Sequence, residues 1–482
     1  MESFDLLIVG GGINGTAIAR DAAGRGQRVL LVEKDDLAQH TSSASSKLIH
    51  GGLRYLEYGE FRLVREALRE RAILLKTAPH IVRPLSFVLP HAPGMRPWWM
   101  LRAGLLLYDL LALGGSLGRS RGIALNGGPF RLPLKDPTGR AALYWDAWVD
   151  DSRLVVLNAV DAAERGGEIA TRTEFLSAER ERDAWRAQLS GGRTVSARAI
   201  VNAAGPWVAE VLQSRLSETS LSHVRLIKGS HIIVPRLFEG EHAYILQQPD
   251  KRVVFALPYG AFTLVGTTDI PVRQPEDAVI SPQEINYLCD AVNLYFERRV
   301  SSNEVVHAYS GVRSLYDNGA ASAQAVTRDY HLELDEDAGP KLLSVFGGKI
   351  TTARALAEET LGRLGIKGPR WTAASPLPGG DISGAFGADL ESIAGWMPAS
   401  LLLRLRRSYG ARLARIVGTA TSMNDLGRNF GAGLYEAEVR FLISNEFART
   451  AEDIVLRRTK LGLHMSAVEQ RSLSDWMDAH AV

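Results

Sequence analysis

An α/β fold with a β-rich insertion and a helical C-terminal domain is predicted by three features of this 482-residue chain. Phe4 to Val9 is an apolar run ending in glycines, Ile13 to Arg25 has helical composition, and Arg28 to Val32 is a second apolar run. That succession of strand, glycine turn, helix and strand opens a Rossmann-like unit. From about Arg193 to Gly348, β-rich runs such as Ala199 to Val201, His231 to Val234, Val253 to Leu257 and Phe262 to Val265 are punctuated by Gly and Pro. A mixed or antiparallel sheet is expected there. Beyond Ser375-Pro376-Leu377-Pro378-Gly379-Gly380 the chain reads as short helices joined by polar turns.

The other elements follow from spacing. Phe61, Leu63, Val64, Ala67, Leu68 and Ala72 recur at helical intervals with charged residues between them, predicting an amphipathic helix. Leu342 to Phe346 reads as a buried strand, Gly347-Gly348 as a turn and Thr351 to Leu364 as a helix, repeating the opening pattern. Trp98 to Leu117 is the most apolar later stretch, but Arg102, Gly104, Asp109, Gly114 and Gly115 interrupt it, so it does not read as a spanning helix. A core helix is the simpler reading, and a surface helix resting on a membrane through Trp98, Trp99 and Tyr108 is the alternative. Arg404, Arg406, Arg407, Arg412 and Arg415, within Leu401 to Val417, read as a solvated face, with contact to anionic lipid as the alternative.

Composition narrows the class. With 46% apolar residues the chain is long enough for two or three domains, and its net charge of +2 supplies no general electrostatic reason to bind nucleic acid. Cys289 stands alone, so an internal disulfide and a thiolate metal cluster are both excluded, and no metal is expected. Two acids within Met1-Glu2-Ser3-Phe4-Asp5 do not resemble an export signal. A cytoplasmic location is expected.

Gly10-Gly11-Gly12-Ile13-Asn14-Gly15 satisfies GxGxxG between a predicted strand and helix. Gly10 suits the tight turn, Gly12 the close approach to a pyrophosphate, and Gly15 the packing of helix on strand. Glu33 ends the second strand 18 residues after Gly15, where a carboxylate accepts from ribose hydroxyls and disfavours a 2′-phosphate. The motif alone does not separate NAD from FAD. A second glycine turn near Gly347 and the long β-rich middle imply a cofactor held between distant segments, which selects FAD. The expected division is then a FAD-binding domain over 1–375 interleaved with a substrate-binding sheet, mainly 70–150 and 205–340, and a helical domain over 376–482.

The run Thr41-Ser42-Ser43-Ala44-Ser45-Ser46-Lys47-Leu48-Ile49-His50-Gly51-Gly52-Leu53-Arg54-Tyr55-Leu56 is too particular for an ordinary loop. With the opening fingerprint it resembles the FAD-dependent, membrane-associated glycerol-3-phosphate dehydrogenases, within the glycine and sarcosine oxidase-like flavoproteins. The resemblance continues through Trp148-Val149-Asp150-Asp151, Asn202-Ala203-Ala204-Gly205-Pro206-Trp207, Lys228-Gly229-Ser230-His231, Gly266-Thr267-Thr268-Asp269, Tyr309-Ser310-Gly311-Val312-Arg313 and Ser344 to Thr352, nearly the whole chain. One departure is Ser314, where these enzymes usually carry Pro, and losing that fixed φ is expected to loosen the loop presenting Arg313.

The resemblance implies oxidation of sn-glycerol 3-phosphate to dihydroxyacetone phosphate, with hydride passing from C2 to flavin N5 and electrons onward to a membrane quinone. It also implies peripheral attachment to the inner face of the cell membrane; a homodimer is allowed for. A phosphate dianion needs guanidinium or ammonium partners, and Arg313, Arg328 and Arg54 are the arginines in or beside the motifs, with Tyr55 as a further substrate contact. His50 and His231 are the alternatives for the general base, since imidazole titrates near neutral pH. Lys349 at a helix start is assigned electrostatic work. FAD contacts are expected from Gly10, Gly11, Gly12, Asn14, Gly15, Glu33, Thr41, Ser42, Ser43, Ser46, Lys47, Gly205, Gly348, Lys349, Ile350 and Thr351. An oxidase using oxygen and a sarcosine oxidase-like amine oxidase are the competing readings.

Overall fold

A computed structural model of the chain describes residues 1–91, 96–112, 115–135, 139–216, 224–250, 252–316, 329–336, 339–382 and 392–480. Its first sheet is built around the strand Glu2–Val9, which runs parallel to Val29–Val32 on one side and Thr194–Asn202 on the other. Lys341–Phe346 extends the parallel set beyond Thr194–Asn202, and Glu168–Ala170 extends it beyond Val29–Val32. Val9 lies opposite both Val32 and Asn202, so Gly10, Glu33 and Ala203 emerge side by side at the carboxyl edge. Ligands bind at such an edge in open α/β sheets. Ala199 to Val201, expected in a mixed or antiparallel sheet of the β-rich middle, instead belong to the parallel centre of this sheet, and His331–Asp335 joins its edge antiparallel to Lys341–Phe346. Ala199 to Val201 are an apolar run of a kind found in either type of sheet, which composition alone does not assign to one sheet or the other.

Three helices, Ile13–Gly24, Asp151–Glu164 and Ala353–Arg363, cover one face of this sheet. Ala17, Ala22, Ala23, Ala159 and Ala162 let them approach closely over Ile8, Leu31, Val201 and Leu343. The opposite face is sealed by Phe175, Trp185, Val208 and Leu212.

The second sheet runs in the order Ile270–Pro271, Val224–Pro235, Phe262–Gly266, Val253–Tyr259, Ala243–Gln247, Val82–Pro90, Arg140–Val149 and Leu48–Ile49. All of these pairs are antiparallel except Ala243–Gln247 with Val82–Pro90. His307–Tyr316 pairs with Val224–Pro235 along its whole length. Arg313 therefore sits in a regular strand, with Ser314 opposite Leu226, and not on a loosened loop. Serine keeps the N–H that a ladder position uses and proline lacks.

The amphipathic helix forms over Phe61–Thr77 and buries Leu63, Val64, Ala67 and Leu68. Its neighbour, Trp98–Leu111, buries only Leu105 and Tyr108 and leaves Trp99, Met100, Leu106 and Leu110 exposed. The core-helix reading is thus corrected to a half-buried helix with an outward apolar face. Among the described residues no helix is long and apolar enough to cross a membrane.

The C-terminal helices, including Ala399–Tyr409, Glu436–Asn445 and Ala467–Ala479, enclose their own core of Leu401, Leu405, Tyr409, Leu442, Leu473 and Met477. Within the basic stretch, Arg404 binds Glu438 through two nitrogens at 2.8 and 2.7 Å and Arg412 pairs with Glu164 at 2.5 Å, so these two are structural, while Arg406, Arg407 and Arg415 are exposed. Buried ion pairs weld this domain to the first sheet, with Arg153 on Glu446 and both Arg457 and Arg458 on Asp36.

Candidate active site

A cavity of about 370 Å³ runs along the carboxyl edge of the first sheet and under the second. Gly10, at φ +114°, turns the chain there, and a Cβ on it would lie 2.5 Å from the Ala203 carbonyl oxygen. A Cβ on Gly15 would lie 2.0 Å from the Gly10 carbonyl oxygen, so the helix reaches the turn only because residue 15 has no side chain. Gly12, Asn14 and Ser42 line the cavity, with Ser42 Oγ accepting from the Ile13 N–H at 3.0 Å. Asn14 Nδ2 donates to the Gly347 carbonyl at 3.1 Å, joining the two glycine turns, while its Oδ1 is buried without a hydrogen-bond partner among the described residues.

Glu33 also lines the cavity and accepts from the Gly11 and Asp35 N–H groups at 2.7 and 2.9 Å. Burial lifts its carboxyl above the ordinary value, against the pull of those donors. Beside it Lys34 places its ammonium 4.2 Å from the centre of the Trp207 ring, and His40 meets the same ring edge-on at 4.7 Å. At another part of the wall stand His50, Tyr55, Arg313 and Lys349, with the Lys349 ammonium 4.0 Å from the centre of the Tyr55 ring. Arg313 Nη1 pairs with Asp269 and Nη2 donates to Thr267 Oγ1 at 3.3 Å. Asp269 and Thr267 thus fix the guanidinium.

Of the expected residues, Gly10, Gly12, Asn14, Glu33, Thr41, Ser42, Ser46, His50, Tyr55, Gly205, Arg313, Gly348, Lys349, Ile350 and Thr351 come together on this wall. Others do not. Lys47 is turned inward, its ammonium between Asp151, at 2.9 and 3.0 Å, and the Ser43 carbonyl at 3.0 Å. A buried carboxylate is a better partner for ammonium than a cavity, so Lys47 is structural and Ser43 serves it. Gly11 and Gly15 shape the turn from behind. Arg54 is half-buried on the turn Leu53–Tyr58 and does not line the cavity. Arg328 lies outside the described residues.

The two histidines separate as well. His231 is buried behind Ser46, its Nε2 2.9 Å from Ser46 Oγ, and stacks on Tyr309 with ring centres 5.0 Å apart. Burial, with Arg313 and Lys47 adding, pushes its ionisation well below the ordinary value, which favours the neutral ring. His50 is on the cavity wall itself.

Residues 5–367 match the FAD dependent oxidoreductase family. The chain belongs to that family. Within it the chain stands in the glycerol-3-phosphate dehydrogenase group, and residues 370–478 match the C-terminal domain of alpha-glycerophosphate oxidase. It is 51% identical to the glycerol-3-phosphate dehydrogenase of Pseudomonas aeruginosa, an alignment covering 99% of this chain and 96% of that one. It is 50% identical to the D-erythritol 1-phosphate dehydrogenase of Brucella abortus, covering 99% and 98%. The crystal structure of the Bacillus halodurans glycerol-3-phosphate dehydrogenase complexed with FAD shares the fold, with a TM-score of 0.74 at 23% identity over 99% of this chain and 94% of that one.

As a FAD-dependent oxidoreductase the protein uses FAD, and the residues present fit it. Gly12, on the cavity wall, leaves room beside Ser42 Oγ that a Cβ would take up, Glu33 offers carboxylate oxygens, and the Asn14 Oδ1 is buried without a donor among the described residues. Sequence reasoning missed Lys34, His40 and Trp207 as wall residues. Trp207 stood within a quoted motif, but its pairing with Lys34 and His40 spans the sheet edge and has no local signal.

Proposed function

We propose that this chain oxidises sn-glycerol 3-phosphate to dihydroxyacetone phosphate and passes the electrons to a membrane quinone. The observation that carries the reading is a single cavity shared by the dinucleotide fingerprint, the His50 imidazole and the cationic side chains of Arg313 and Lys349. FAD, when bound, supplies the hydride acceptor. His50 accepts the proton of the C2 hydroxyl, a role open to an imidazole on the wall. Arg313 binds the phosphate, its plane fixed by Asp269 and Thr267 so that the fork is oriented before substrate arrives. Lys349 stabilises developing negative charge, its ammonium resting 4.0 Å from the centre of the Tyr55 ring. Arg54, with no place on the wall, is not part of this scheme.

Anaerobic bleaching of the flavin tests the reaction. Bleaching by glycerol 3-phosphate at saturating rates is expected, and bleaching by glycine derivatives alone would overturn it. D-erythritol 1-phosphate belongs in the same panel as the second reading, because the Brucella abortus relative is as similar as the glycerol-3-phosphate dehydrogenase. The better kcat/KM of the two assigns the substrate. Reduction of a quinone analogue without stoichiometric peroxide supports the quinone acceptor against oxygen. The exposed Trp99, Met100, Leu106 and Leu110 support peripheral attachment of the helix Trp98–Leu111 to the inner face of the cell membrane.

A further inference from the structure

Tyr108 lies on the inward face of the helix Trp98–Leu111, only 1% exposed, away from the apolar face that the same helix turns outward. Its hydroxyl accepts the Gly51 N–H at 2.8 Å and donates to Asp146, whose oxygens are 2.8 and 2.9 Å away. Asp146 in turn pairs with Arg71, which also donates to the Trp145 carbonyl at 2.9 Å. Asp146 and Arg71 are 1% and 4% exposed, and none of the three side chains lines the cavity. A buried ion pair seldom outperforms apolar packing in stability, so what this network holds is the informative point. It holds the backbone amide next to His50.

The fit at that point is tight. A Cβ on Gly51 would lie 2.6 Å from the Tyr108 oxygen and 2.7 Å from Leu68 Cδ2. On the other side the His50 N–H points to Thr351 Oγ1 at 3.4 Å, beside the second glycine turn. Burial keeps the phenol neutral, raising its ionisation well above the ordinary value, so it remains a donor to Asp146 and an acceptor for Gly51.

We infer that Tyr108, held by Asp146 and Arg71, is a positioning residue that sets His50 for proton transfer through the Gly51 amide. The inference rests on the reading of His50 as the base. Proton transfer depends on sub-ångström placement of the imidazole, which a mobile peptide at residues 50 and 51 does not provide.

Tyr108→Phe removes only the hydroxyl. The expected result is a holoenzyme with an unchanged flavin spectrum and KM, and an anaerobic flavin reduction slowed about tenfold, with its pH profile displaced. Hydrogen–deuterium exchange of the peptide containing Gly51 becomes faster in the variant, in the flavin-free and flavin-bound protein alike. Rates are expressed per bound flavin, so lost stability does not mimic the effect. His50→Asn with Tyr108→Phe is then no slower than His50→Asn alone, because both act on one group. If Tyr108→Phe does not accumulate as holoenzyme, Asp146→Asn carries the same cycle, since it keeps the shape and removes the charge that orients the phenol. A silent His50→Asn overturns the base assignment and this inference together. A slow His50→Asn with a silent or additive Tyr108→Phe, or with a silent or additive Asp146→Asn where that variant carries the cycle, overturns this inference alone.

Discussion

Replacing Arg153 with methionine leaves Glu446 without its counter-ion in the junction between the C-terminal helices and the first sheet, where both side chains are 0% exposed. Arg153 Nη2 donates to Glu446 Oε1 at 2.9 Å and Nη1 to Oε2. At that separation two unit charges attract by about 6 kcal/mol in an effective dielectric near 20. Desolvation costs several kcal/mol per ion, so the intact pair is worth little more than an apolar pair of the same volume. A single orphan is different and costs about 3–5 kcal/mol. Arg153→Met and Glu446→Met are each expected to destabilise by that amount, and the double variant by about 1 kcal/mol or less. Urea unfolding of the holoenzyme followed by tryptophan fluorescence reads all three. A double variant that loses the sum of the singles would refute the reasoning, because the cost would then lie in packing and not in an uncompensated charge.

His80 is 4% exposed, has no partner for either ring nitrogen among the described residues, and is pushed down to about 3 by burial and by Arg153. The folded state keeps it neutral while the unfolded chain protonates below about pH 6.5, so its contribution is complete above that pH and is lost as pH falls towards 3. Between pH 6.5 and 5 the parent loses about 2 kcal/mol more stability than His80→Leu, and equal slopes in equilibrium unfolding would exclude this. Gly10→Ala meets the Ala203 carbonyl at 2.5 Å in a backbone conformation unsuited to alanine, and is expected to purify with less than about a tenth of the parent's flavin. An absorbance ratio equal to the parent's would refute it. Trp99→Glu with Leu106→Glu places charge on the exposed face of its helix and abolishes co-sedimentation with phosphatidylglycerol vesicles without changing flavin content; undiminished binding would move the attachment elsewhere.

What could be read without coordinates was what depends on neighbours in sequence. The strand, glycine turn and helix from Phe4 to Gly24 were legible because Gly10, Gly12 and Gly15 answer local steric demands. The amphipathic helix at Phe61 was legible from its period. Lys47 was misread because the carboxylate that turns it inward, Asp151, is 104 positions away. Ala199 to Val201 were grouped with the β-rich middle because an apolar triplet carries no sign of which sheet it joins. Arg404 and Arg412 looked like a solvated face until Glu438 and Glu164 came beside them. Tyr108 read as part of a core helix, with an interfacial aromatic as the alternative, and its hydroxyl partners were hidden because only tertiary structure brings Gly51 and Asp146 to it.

The bond from Asn14 to the Gly347 carbonyl joins residues 333 apart. On a ribosome adding roughly 5–20 residues per second, the fingerprint emerges tens of seconds before the turn that completes its cradle. The cradle therefore cannot be completed until most of the chain has been made. A chain released before residue 347 would carry the first glycine corner with no second corner for Asn14 to reach.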